Sequence, residues 1–220
     1  VVLSRGLGDV YKRQALRQDV LAVANGSSLL IYDVHQPDRA LSVFEFEQPE
    51  HLLVCERGSS LVVVYTLDGV LNVMDLQGQP IPFSDEVHDG VERLTCSGSE
   101  IAYVTAERPM EVTVLQLGVR GEVGYTINAT APQEEDAILE AWGTPVDMAN
   151  ATVQSMAFDR EYLAVTVNVS ATDRLVLYNR STAEQWLASN AKYHVSDISL
   201  DHGIFCLLYT SDAADDLRCV

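Results

Sequence analysis

This chain of 220 residues predicts an all-β fold, a partial β-propeller of antiparallel four-stranded blades. Three observations carry that prediction. Four segments share an apolar opening: His51-Leu-Leu-Val-Cys55, Glu92-Arg-Leu-Thr-Cys96, Gln154-Ser-Met-Ala-Phe158 and Ser196-Asp-Ile-Ser-Leu200. The openings recur about forty, sixty and forty residues apart, the spacing of a propeller blade with an insertion in one unit. Helical periodicity is nearly absent.

Each opening is followed by a polar turn, namely residues 56–58, 97–99, 159–160 and 201–203. A second apolar run comes next at 61–66, 101–105 and 163–167, and a third at 70–75, 112–117 and 175–178. The unit is therefore a strand meander. Residues 15–50 fit the same template entered late, with strands at 20–24 and 29–33 joined by Asn25-Gly26. Asn-Gly between apolar runs is a strong hairpin signal, because both central residues of a type I′ turn take positive φ. The predicted blades are 15–50 (partial), 51–90, 91–152 with an insertion at 118–152, 153–194 and 195–205 (partial), which makes three whole blades between two cut ones. One short helix is expected in the insertion. There Pro132-Gln-Glu-Glu-Asp136 precedes Ala137 to Trp142, and proline followed by acids suits a helix start.

The two ends read differently from the middle. Asp9-Val-Tyr-Lys-Arg-Gln14 can be encoded by a sequence whose reverse complement, shifted by one base, reads Cys206-Leu-Leu-Tyr-Thr-Ser211. These ends, with their flanks, resemble translated transposase adaptors of the kind used to prepare sequencing libraries. Residues 1–14 and 206–220 are accordingly expected to be adaptor-derived and residues 15–205 to be the propeller fragment. On that reading the first blade lacks its opening strand and the last retains only that strand, leaving Leu21, Val23, Leu29 and Ile31 on an uncovered apolar face.

The chain carries 32 Asp and Glu against 14 Lys and Arg, a formal net charge of −18. No cluster of cations is present to neutralise phosphate, so a nucleic-acid partner is disfavoured. No run of eighteen apolar residues offers a membrane-spanning segment. Between the tails only Cys55 and Cys96 remain. They end equivalent strands of neighbouring blades, and such strands should lie too far apart for a disulfide, so buried free thiols are expected.

The third strands end in Ile31-Tyr32-Asp33 and Val73-Met74-Asp75, where WD-repeat blades place Trp-Asp. The later blades show Leu115-Gln116 and Leu177-Tyr178 instead, and the Gly-His that accompanies the pair is missing. Residues 21–37, Leu-Ala-Val-Ala-Asn-Gly-Ser-Ser-Leu-Leu-Ile-Tyr-Asp-Val-His-Gln-Pro, also resemble the LVIVD-type repeat of microbial surface propellers. Both resemblances imply a propeller.

No recurring set of His and carboxylates, phosphate loop, nucleophile elbow or catalytic acid pair can be picked out. His35, His51, His88, His194 and His202 fall mostly at turns or strand starts and read as surface or strand-end imidazoles. The acid-rich Ser84-Asp-Glu-Val-His-Asp-Gly90 lacks alternating ligand spacing and reads as an inter-blade turn rather than a cation site. Five of the seven Asn, namely Asn25, Asn128, Asn150, Asn168 and Asn179, sit in Asn-x-Ser/Thr sequons, against roughly one expected by chance. They are candidate glycan acceptors, and they favour a secreted, luminal or cell-surface origin over a cytosolic one.

A repeat scaffold without catalytic groups points to a non-catalytic propeller for protein–protein interaction. Its blade-edge loops and the 118–152 insertion would supply the contact surface. The alternative is an enzymatic or carbohydrate-binding propeller whose site lies in blades outside this insert. No cofactor and no metal site are implied, and the expected partner is a protein.

Overall fold

The computed structural model describes residues 12–45, 47–82, 88–117, 122–128, 151–169, 172–182, 185–191, 195–201, 204–209 and 216–219. Its strands form five antiparallel sheets, each a meander in chain order. The first contains β1 (Lys12–Arg17), β2 (Val20–Asn25), β3 (Ser28–Asp33) and β4 (Ala40–Glu45). The second contains β5 (His51–Arg57), β6 (Ser60–Leu67) and β7 (Val70–Asp75). The third is β8 (Val91–Ser97), β9 (Glu100–Thr105), β10 (Arg108–Gln116) and β11 (Glu122–Asn128). The fourth is β12 (Thr152–Phe158), β13 (Tyr162–Val169), β14 (Thr172–Asn179) and β15 (Gln185–Ala191). The fifth is β16 (Val195–Asp201), β17 (Ile204–Tyr209) and β18 (Asp216–Cys219).

The first strands β1, β5, β8, β12 and β16 stand side by side, each packed on the next. Each sheet thus runs outward from a common axis as a blade. The core is divided into one apolar cluster per junction. Leu29 and Ile31 meet Leu52, Val54 and Val63 between blades 1 and 2. Val62, Val64 and Val73 meet Ile101, Tyr103 and Leu115 between blades 2 and 3. Val104, Val112 and Val114 meet Phe158, Leu163 and Val165 between blades 3 and 4. Ala157, Ala164 and Leu175 meet Ile198 and Leu200 between blades 4 and 5.

Successive residues of β6 face opposite junctions, Val63 toward blade 1 and Val62 and Val64 toward blade 3. A strand buried on both faces reads as an unbroken apolar run instead of an alternating one. Runs such as Leu61 to Tyr65 and Ile101 to Val104 therefore mark second strands, flanked by a blade on either side.

The strand pattern adds detail to the expected blades. β1 pairs with β2, with Ala15 opposite Ala22, and the last sheet has three strands, pairings that draw on residues 12–14 and 206–219. Among the described residues blade 2 has three strands, and beyond β7 a bridge joins Met74 to Pro80. Pro80 and Pro82 have no N–H to extend that ladder. Blade 3 takes its fourth strand, β11, from within the expected 118–152 insertion. The expected helix at 132–142 lies outside the described residues.

The uncovered face of blade 1 also differs from expectation. Val23 pairs with Leu30 and Ala24 with Leu29, so Leu29 and Ile31 share a face with Ala22 and Ala24 and are buried against blade 2. The opposite face carries Leu21, Val23 and Leu30 and extends to the exposed Leu16, Leu41 and Val43. The Asn25-Gly26 hairpin is shifted as well. Asn25 pairs with Ser28, and only Gly26 of the two central residues has a positive φ, the pattern of a type II′ turn. Asp68-Gly69, between Leu67 and Val70, is the pair with positive φ at both positions.

A charged mouth formed by the first turns of four blades

In blades 1 to 4 the turns joining first to second strands emerge at one end of the axis. In blades 1 to 3 each is two residues long: Gln18-Asp19, Gly58-Ser59 and Gly98-Ser99. In blade 4 the turn spans Asp159 to Glu161, where the Asp159 carboxylate accepts bonds from Glu161 N at 2.8 Å and Tyr162 N at 2.9 Å. Such short connections hold their flanking side chains at nearly equivalent heights. The result is a cavity of about 740 Å³ lined by Arg17, Glu56, Glu100, Asp159, Arg160 and Arg180, among others.

Four of its charges form two ion pairs between blades. Arg17 Nη2 lies 2.9 Å from Glu56 Oε1, joining blade 1 to blade 2. Arg180 Nη2 lies 2.6 Å from Glu100 Oε2, joining blade 4 to blade 3, and only 11% of the Arg180 side chain is exposed. Arg180 also donates to the Asp159 carbonyl, and its guanidinium stands 5.3 Å from the centre of the Phe158 ring. A guanidinium offers five donors in a planar fork, so one side chain can bind a carboxylate, a carbonyl and a ring at once.

Directly beneath the mouth, Cys55 and Cys96 form a disulfide with a Cα separation of 6.1 Å. This overturns the expected free thiols. First strands converge on the axis, so equivalent positions on neighbours come within bridging range there although the blades diverge outward. The same convergence places Glu56 N 2.9 Å from Gly98 O, a bond between the two turns themselves. Cys206, opposite Cys219 in the fifth blade, is also disulfide-bonded.

The histidines separate. His35 is exposed, with Nε2 3.1 Å from Asp19 Oδ1. His51 Nδ1 lies 3.0 Å from Thr66 Oγ1 at the far end of the axis. His88 is no surface imidazole: it is buried, 2.9 Å from the Tyr103 hydroxyl, where the chain crosses from blade 2 to blade 3. Residues 84–87 of the acid-rich loop, together with His194 and His202, lie outside the described residues.

Of the sequons, Asn25 is exposed at a hairpin tip, whereas Asn168 and Asn179 are half-buried. Asn168 Nδ2 donates to Asp173 at 2.6 Å. Asn179 Oδ1 accepts from Ser181 N and Thr182 N. Asp33 and Asp75 do the same after their own third strands, accepting from His35 N and from Gln77 N and Gln79 N. Asn179 is thus the blade 4 counterpart of the third-strand Asp. Asn128 ends β11, and Asn150 lies outside the described residues.

The ion-paired arginines were missed by motif reading. A signal did exist: charged residues bracket the first turn of each repeat, at Arg17, Glu56, Glu100 and Asp159 to Glu161.

No family model matches the chain, and no curated protein matches it by sequence. Solved structures do. A chain of the mitotic checkpoint complex superposes with a TM-score of 0.58 at 12% identity, over 94% of this chain and 62% of that one. Hsv2 of Kluyveromyces lactis gives 0.59 at 12% identity, over 90% of this chain and 58% of that one. These neighbours are β-propellers. The fold is a β-propeller. The N-terminal domain of Nup159 gives 0.50 at 12% identity, over 95% of this chain and 57% of that one. In all three the chain spans less than two thirds of the other's length, and likeness at this identity speaks to fold alone.

Proposed function

We propose that this propeller is a non-catalytic scaffold for protein–protein interaction that engages its partner at the charged mouth. The observation that carries the reading is the pairing of Arg17 with Glu56 and of Arg180 with Glu100 across neighbouring blades. Arg17 and Arg180 are committed to Glu56 and Glu100, which fixes the turns as a rigid frame instead of leaving groups poised for proton transfer. The frame presents exposed Gly58, Arg160 and Glu161 and the backbone of four turns to a partner. Loops held by a rigid scaffold are where binding surfaces concentrate.

Site-specific photocrosslinking in the native host tests this. A crosslinker at position 58 or 160 should trap one common protein that a crosslinker at Arg39 does not trap. Equal capture from all three positions would sink the assignment of the mouth.

Residues 1–14 and 206–220 are proposed to be adaptor-derived, on the strength of the reverse-complement relation between them. An uninterrupted genomic locus encoding both ends in frame would refute this.

A further inference from the structure

We infer that Asn25 is an N-glycan acceptor in a chain that folds in an oxidising luminal compartment, and that Asn168 and Asn179 carry no glycan although their sequences read as sequons. Two independent observations meet here. The first is the Cys55–Cys96 disulfide between neighbouring first strands, with Cys55 fully buried. Disulfides form and persist in oxidising compartments, and those compartments are where N-glycans are attached. The second is the geometry of the sequons.

Asn25, Gly26 and Ser27 are all exposed at the tip of the blade 1 hairpin. A Cβ built on Gly26 meets nothing within 4 Å, so the tip has open space around it. The hairpin points away from the charged mouth, so a glycan there leaves the proposed binding face clear. Asn168 is placed otherwise: its Nδ2, the atom that would carry the sugar, is bonded to Asp173, a carboxylate only 2% exposed. A sugar on that nitrogen would have to displace or crowd a buried charged partner, which is costly. Asn179 is explained by its turn, where its carbonyl oxygen receives two backbone N–H groups as Asp33 and Asp75 receive theirs. Asn and Asp are interchangeable in that role, so the sequon follows from turn chemistry.

The chemistry balances with two co-reactants of the lumen. Asn25 Nδ2 bonds to C1 of a lipid-diphosphate-linked oligosaccharide, the bond from C1 to the diphosphate oxygen breaks, the lipid diphosphate departs and one Nδ2 proton is released. Cys55 and Cys96 give up two protons and two electrons to the disulfide of a protein oxidoreductase, which leaves as its dithiol.

The full chain, produced behind a cleavable secretion signal in a eukaryotic host, tests the inference by glycopeptide and non-reducing disulfide mapping. Mapping the luminal pool as well as the secreted pool reads occupancy even where folding is incomplete. The expected result is a glycan on most Asn25 peptides, bare Asn168 and Asn179 peptides, and Cys55 linked to Cys96. Asn25→Gln should remove the mobility shift of that one glycan and leave the thermal unfolding transition in place. Bare Asn25, occupied Asn168 or Asn179 in folded protein, or alkylatable Cys55 and Cys96 would each overturn it.

Discussion

The junction between blades 2 and 3 and the junction between blades 3 and 4 share an axis, a strand and a core design, yet different chemistry closes them at the mouth. The first is held by the Cys55–Cys96 disulfide and a backbone bond from Glu56 to Gly98. The second is closed there by Arg180, which reaches Glu100, while toward the far end of the same first strands Arg93 Nε donates to Gln154 O at 2.8 Å. Apolar packing supplies adhesion at both, and the polar or covalent closure sets how rigidly neighbouring turns are held. One closure answers to redox conditions and the other to burial of charge.

Truncating the core should affect both junctions alike and most strongly. Leu115→Ala between blades 2 and 3, and Leu163→Ala between blades 3 and 4, each remove a side chain no more than 2% exposed. Each is expected to cost about 2–5 kcal/mol by urea denaturation. If one proved silent, its junction would not be held by packing.

Replacing Cys55 and Cys96 by Ser, or reducing the bridge, should destabilise by about 4 kcal/mol or less, the chain-entropy value for a sequence separation of 41. Thermal unfolding with and without reductant measures it. The variant lacking both cysteines should show no response to reductant beyond that of the Cys206 bridge.

Arg180→Ala is expected to cost about 1–3 kcal/mol, since it leaves a partly buried Glu100 and a carbonyl without their donor. High salt should change that cost little. Arg17→Ala should cost under about 1 kcal/mol and the effect should fade in salt, because that pair is 38% and 31% exposed. Equal salt sensitivity of the two variants would erase the distinction drawn between them.

The smallest effect concerns Tyr65, which packs at the blade 1–2 junction and whose hydroxyl pKa is raised above its ordinary 10.0 by burial. The folded state therefore holds the phenolic proton more tightly than the unfolded chain. Its contribution is fully present below pH 10.0 and is lost as pH rises through the raised value. Tyr65→Phe should flatten the alkaline limb of a stability–pH profile; an unchanged limb would assign that loss to other groups.

The blade repeat was legible in the sequence for a definite reason. A second strand flanked by blades on both sides is apolar on both faces, and Leu61 to Tyr65, Ile101 to Val104 and Leu163 to Val167, interrupted by Thr166, announce this directly. The outer parts were less legible. In blade 2, Pro80 and Pro82 signalled that the described ladder beyond β7 shortens to a bridge, while β11 was hidden in a segment that looked like an excursion. The third-strand Asp of the early blades was visible, but its replacement by Asn179 was not, because the two residues serve one turn through the same oxygen.

What the sequence determined by itself is local and periodic: the strands, their turns, the blade spacing and the acidic balance, all of which follow from side-chain alternation and backbone preference within a few residues. What only the tertiary structure decided depends on distance from the axis. The same register of repeats brings Cys55 to Cys96 and Arg180 to Glu100, and it sends Leu29 inward while leaving Val43 in solvent. Spacing along a chain carries no information on radius, and at a propeller axis it is radius that determines whether equivalent residues touch.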